Sequence, residues 1–112
     1  VAAVLNEIAS ASHVGVVIDE VTVPVAAEVR SACALLGLDP MQVANEGRLV
    51  AWVAGRDGER AVQVLRACTG GEQAVAIGHV VDEHPGMVVG RTAIGGTRII
   101  DVPLGELLPR IC

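Results

Sequence analysis

Trp52 is the only aromatic side chain in this sequence, which has no Phe and no Tyr. The core must therefore be assembled from Val, Ala, Leu and Ile, many small side chains in place of a few large plates. Each of these buries little area, so the chain has to align them in regular apolar faces and stack those faces in layers. With 112 residues, 52% of them hydrophobic, a single domain with a core that needs no disulfides is expected.

The order of those faces predicts an α/β layer arrangement, a mixed sheet with helices packed on it. Val1, Val4, Leu5, Ile8 and Ala11 recur at helical spacing and predict a helix over 1–12. The β-branched run 14–18 suits a buried strand that meets solvent at Asp19-Glu20. Pro24 suits the first turn of a second helix, with Val25, Val29, Ala32, Cys33 and Leu36 on one face and Gly37 as its stop. Asp39-Pro40 reads as the cap and first residue of a short helix to 44, broken at Asn45-Glu46-Gly47. A strand is expected over 48–54, with Leu49, Ala51 and Val53 on one face and Val50 and Trp52 on the other. A helix over 59–68 follows, burying Ala61, Val64, Leu65 and Cys68. Three strands close the domain at 74–81, 87–92 and 97–102. The first pair is joined by the hairpin-like 82–86 and the second by Ala93-Ile94-Gly95-Gly96. Residues 14–20 and 77–83 resemble each other, but one shared heptamer is too little to infer a duplication.

Charge and composition exclude several functions. The formal charge is −5 and all eight basic side chains are arginine, so no Schiff-base or phosphate-loop lysine exists here. An acidic balance with one aromatic opposes a nucleic-acid surface. Charged and glycine residues interrupt every apolar run, so no membrane span is expected, and no export leader is visible. Cys33, Cys68 and Cys112 form no Cys-x-x-Cys pair, which fits a reduced, cytoplasmic setting. Cys33 and Cys68 read as core packing. His13, His79 and His84 have no metal-ligand spacing, so no metal site is expected; His79 alternates with Val75, Ile77 and Val81 and fits their sheet face. The chain starts on Val1, which points to a preceding part removed by processing or truncation.

Three places could carry chemistry. Cys112 ends the chain after Pro103 and Pro109, which disfavour helix, so an extended, flexible arm over 103–112 is expected, about 30 Å at full stretch. Its thiol is either inert or a swinging nucleophile; Arg110 favours the thiolate and the terminal carboxylate opposes it. Glu46 is either a solvated turn carboxylate or a group presented from a rigid break. Gly95-Gly96 is either a plain hairpin turn, a backbone cradle for an anion, or a hinge for the nearby tail.

Gly95-Gly96-Thr97-Arg98-Ile99-Ile100-Asp101, Gly105-Glu106 and the terminal Leu108-Pro109-Arg110-Ile111-Cys112 resemble the C-terminal end of the HypE family of hydrogenase maturation factors. Asp39-Pro40 followed by Ala44-Asn45-Glu46-Gly47 does so too. The resemblance covers essentially all of this chain but only the C-terminal domain of that family. The family belongs to a wider group with aminoimidazole ribonucleotide synthetase and selenophosphate synthetase. The resemblance implies a domain over 1–102 and a tail carrying a carrier cysteine. It implies a carbamoyl dehydratase, in which HypF delivers a carbamoyl group to Cys112 and ATP with Mg2+ activates the amide oxygen. Glu46 would then act as general base, and the resulting thiocyanate would supply cyanide to [NiFe] hydrogenase iron on a HypC–HypD scaffold. It further implies a homodimer through an N-terminal domain that also holds most of the ATP site, so this piece alone would be inactive and bind no cofactor. The competing expectation is a non-enzymatic interaction module whose apolar tail (Leu107, Leu108, Ile111) docks into a partner protein.

Overall fold

The computed structural model describes residues 1–102; residues 103–112, with Arg110 and Cys112, lie outside the described residues. Helix α1 (Ala2–Ser12) buries Ala2, Leu5 and Ala9, one stripe at helical spacing. It ends at His13, whose left-handed φ of 54° lets the His13 and Val14 N–H groups close back on the Ser10 and Ala9 carbonyls. Strand β1 (Gly15–Asp19) follows and is buried along almost its whole length. Strands β2 (Gly78–Val81), β3 (Val88–Arg91) and β4 (Thr97–Ile99) complete a mixed sheet in the order β2-β1-β3-β4. β1 pairs antiparallel with β2 and parallel with β3, and β3 pairs antiparallel with β4. Leu5, Val16, Ile18, Val88 and Ile100 are the heart of the core, with Trp52 half-buried against it. The α/β reading of the sequence is the observed fold.

Residues 82–86 do not form a hairpin between adjacent strands, because β1 lies between β2 and β3. The loop carries the chain across the start of β1 instead, and the Gly86 N–H donates to the Val14 carbonyl at 2.9 Å. The two similar runs are the two strands that pair: Gly15 faces Val81 and Gly78 faces Ile18. A Cβ on Gly15 would run into the Glu83 carbonyl, and one on Gly78 into the Val17 carbonyl. Both glycines are there because backbone passes over them.

The middle of the chain departs further from its expected form. Helix α2 (Ala27–Leu36) starts three residues after Pro24, because buried Val23 and half-buried Val25 pin the preceding chain and Ala26 is extended. Gly37, at φ 67°, ends it as expected. Residues 39–42 make one turn, not a helix. The Asp39 carboxylate accepts the Met41 N–H at 2.9 Å and its carbonyl accepts the Gln42 N–H, and Gly47 at φ 74° then breaks the path. Residues 48–54 form no ladder, although Val50 and Trp52 turn inward while Leu49 and Val53 stay exposed, the alternation expected of a strand. A short 3-10 turn (Gly55–Asp57) leads into α3 (Gly58–Arg66). α3 contributes no fully buried residue; Ala61, Val64 and Leu65 line an open apolar groove with Ala51 and Val53. Cys33 is buried as expected, whereas Cys68 is exposed because α3 stops short of it, and His79 faces solvent. No helix among the described residues is long and apolar enough to cross a membrane.

Candidate functional site

Glu46 is exposed on the bend after the 39–42 turn, between Asn45 and Gly47. The turn that leads to it is tied to the last described residues. Gln42 Nε2 donates to the Asp101 carbonyl at 2.7 Å, although the two are far apart in sequence. Asn6 Nδ2 donates to the Ile100 carbonyl at 2.8 Å, and the Ala2 N–H to the Met41 carbonyl at 2.9 Å. The base of α1, the turn before Glu46 and the exit of β4 therefore form one anchored corner. The chain leaves the described domain beside the turn that precedes Glu46.

Arg98 locks that corner. Its Nε and Nη2 donate to the two Glu20 oxygens at 2.7 and 3.0 Å, a forked pair. Nη2 also donates to Asp39 Oδ2 at 2.6 Å. Glu20 first, and Asp39 second, hold the guanidinium proton above the ordinary arginine range. Glu20 follows β1 and Arg98 lies on β4, with β3 between them. Gly90 of β3 makes the reach possible: it pairs with Arg98 in the ladder, and a Cβ there would strike the Glu20 carboxylate. The reading of the sequence placed Arg98 in the strand 97–102 and in the segment 95–101 that carries the resemblance, without partners. Its partners lie 78 and 59 residues away, and no local pattern signals them.

Gly95 and Gly96 form the tight turn between β3 and β4, with Gly95 at φ 83°. Their N–H groups are committed within it, Gly95 to the Thr92 carbonyl at 3.0 Å and Gly96 to Thr92 Oγ1 at 3.1 Å. The turn thus offers no free pair of donors to an anion, and the phosphates of ATP find no cradle in it. Among the described residues no group of three or more His, Cys, Asp or Glu could hold a metal ion. The structure brings the roots of Glu46 and of the C-terminal stretch together, and Gly95-Gly96 closes the hairpin whose second strand carries Arg98. Arg110 and Cys112 belong to the residues outside the described ones.

Residues 1–90 match the family model of the AIR synthase related protein, C-terminal domain. The chain is 48% identical over 111 residues to the carbamoyl dehydratase HypE of Rhodobacter capsulatus, covering 99% of this chain and 33% of that protein. It is 50% identical over 112 residues to the carbamoyl dehydratase HypE of Rhizobium leguminosarum bv. viciae, covering 100% of this chain and 32% of that one. Among solved structures it superposes on the hydrogenase maturation protein HypE with a TM-score of 0.91 and 43% identity, over 99% of this chain and 36% of that one. HypE in complex with ATP gives 0.90 and 42%, over 99% and 34%; a HypE–HypF complex gives 0.86 and 39%, over 92% and 33%. The chain spans about a third of the length of the curated relatives it matches. By the family model that covers most of its length, the chain belongs to the AIR synthase related protein family as a C-terminal domain, with its similarity running to the hydrogenase maturation protein HypE.

Proposed function

We propose that this chain is the C-terminal domain of an ATP-dependent carbamoyl dehydratase that converts a carbamoyl group on Cys112 to a thiocyanate. The observation that carries the reading is 48% identity, over 99% of the chain, to a protein named for that activity. The balance is S–C(O)NH2 to S–C≡N with loss of water. The oxygen leaves as phosphate once ATP has activated it, since an unactivated amide oxygen is a poor leaving group. The thiol carries the substrate, and a covalent tether keeps it at high effective concentration near the base. Both N–H protons leave, one as the oxygen is phosphorylated and ADP departs, the second, taken by Glu46, as phosphate is expelled.

Chain length supports the pairing of these two residues. Glu46 lies four residues beyond Gln42, a span of at most about 14 Å, and Cys112 lies eleven beyond Asp101, a span of at most about 38 Å. Gln42 and Asp101 are hydrogen-bonded, so the sulfur can reach the carboxylate without rearranging the domain. On this reading 1–102 is the anchored domain and 103–112 a flexible carrier arm. HypF supplies the carbamoyl group, which the complex of that protein with a relative supports. ATP, with Mg2+, is a substrate, which the ATP complex of another relative supports. The cyanide goes to [NiFe] hydrogenase iron on HypC–HypD in the cytoplasm. The longer protein is a homodimer, and this chain alone does not turn over.

In the full-length protein, Glu46→Gln is expected to accept the carbamoyl group normally and then lose water on ATP addition roughly a hundredfold to ten-thousandfold more slowly. A Glu46→Gln protein that dehydrates at the wild-type rate removes Glu46 from the mechanism.

A further inference from the structure

We infer that Arg98 is a positioning residue for the dehydration step: it clamps the turn leading to Glu46 against the strand leading to Cys112. The inference rests on the proposed roles of those two residues. It goes beyond them in assigning work to a partly exposed ion cluster that the proposed function does not use.

The geometry is that of a clamp, not of a chance surface pair. Three bonds converge on one guanidinium from two carboxylates, and each carboxylate comes from a different limb. Glu20 fixes Arg98 to the central strand, across a glycine that leaves it room. Asp39 then ties Arg98 to the turn. The same Asp39 accepts the Met41 N–H with its other oxygen, so the carboxylate that meets Arg98 also shapes the turn. Gln42, in that turn, holds the Asp101 carbonyl, three residues past Arg98. Glu20, Arg98, Asp39, Gln42 and Asp101 thus form a continuous polar seam in which Gln42, at the root of the base, meets Asp101, at the root of the carrier. A planar fork is needed at its centre, since an ammonium cannot meet both Glu20 oxygens and Asp39 in fixed directions.

The test uses the full-length protein and follows two masses: carbamoyl gain on Cys112, then single-turnover loss of water at saturating ATP. Arg98→Met is expected to load normally, because loading needs only the thiol and the donor, and to dehydrate roughly tenfold to a hundredfold more slowly. Arg98→Lys should fall between it and wild type. Gln42→Ala, which leaves every charge in place, should slow the same step and carries the test if Arg98→Met fails to fold. Combining Arg98→Met with Glu46→Gln should slow dehydration no further than Glu46→Gln alone, since a clamp has nothing to position once the base is gone. Wild-type dehydration by Arg98→Met or Gln42→Ala, or losses that multiply in the double variant, would overturn the inference. Fast dehydration by Glu46→Gln alone would instead overturn the role of Glu46, and the inference with it.

Discussion

Gly15 occupies a position where a side chain has no room. The loop from β2 to β3 crosses directly above it, and the Glu83 carbonyl fills the place of a Cβ. Gly15→Ala must therefore displace backbone, and a loss of about 1–3 kcal/mol in stability is expected by denaturant unfolding. Gly37→Ala lies in open space at a C-cap, so its cost should come from the left-handed backbone alone, about 1 kcal/mol. A Gly15→Ala protein as stable as wild type would contradict the crossing-loop account. Gly37 was legible in the sequence because a helix stop is a local event. Gly15 read as an ordinary member of the 14–18 run, because the loop that passes over it is nearly seventy residues away. Arg98 was illegible for the same reason. Its surroundings in sequence marked a turn and a strand, while the two carboxylates it binds come from distant limbs.

The elements differ sharply in how far they are held. α1, β1 and β3 share the buried cluster, whereas α2 buries only Cys33 and α3 buries nothing fully. Periodicity announced all three helices, since spacing reports which face is apolar. It could not report whether anything covers that face, and Leu36, which the spacing places on it, is 68% exposed. The same limit applies to 48–54, where the alternation was correct but no partner strand completes a ladder. The hairpin assigned to 82–86 failed because adjacency in sequence was taken for adjacency in the sheet. Two measurements follow. Native-state hydrogen exchange should protect the amides of β1 and β3 most and those of α3 least among the regular elements. Leu5→Ala, at 2% exposure, should cost about 2–5 kcal/mol, while Val64→Ser, at 56%, should stay within about 0.5 kcal/mol. A large loss at Val64 would mean that α3 is packed in solution.

At the scale of the whole molecule, the domain serves the proposed function as a mount. A small aliphatic core fixes a mixed sheet, the sheet carries Arg98 beside Glu20 and Asp39, and Gln42 bonds the turn before Glu46 to Asp101. The chain spans about a third of the length of the curated relatives it matches. The terminal Pro-Arg-Ile-Cys carried the functional reading in the sequence; the anchored corner that joins Gln42 to Asp101 became visible only in the fold. The most direct measurement is the intact mass of the full-length protein, incubated with carbamoyl donor and then with ATP. A gain of about 43 Da on the peptide ending in Cys112, followed by a loss of about 18 Da, is expected from the covalent-carrier logic, with neither change in Cys112→Ala. The same two mass changes in Cys112→Ala would contradict the account, because the group would then be held elsewhere.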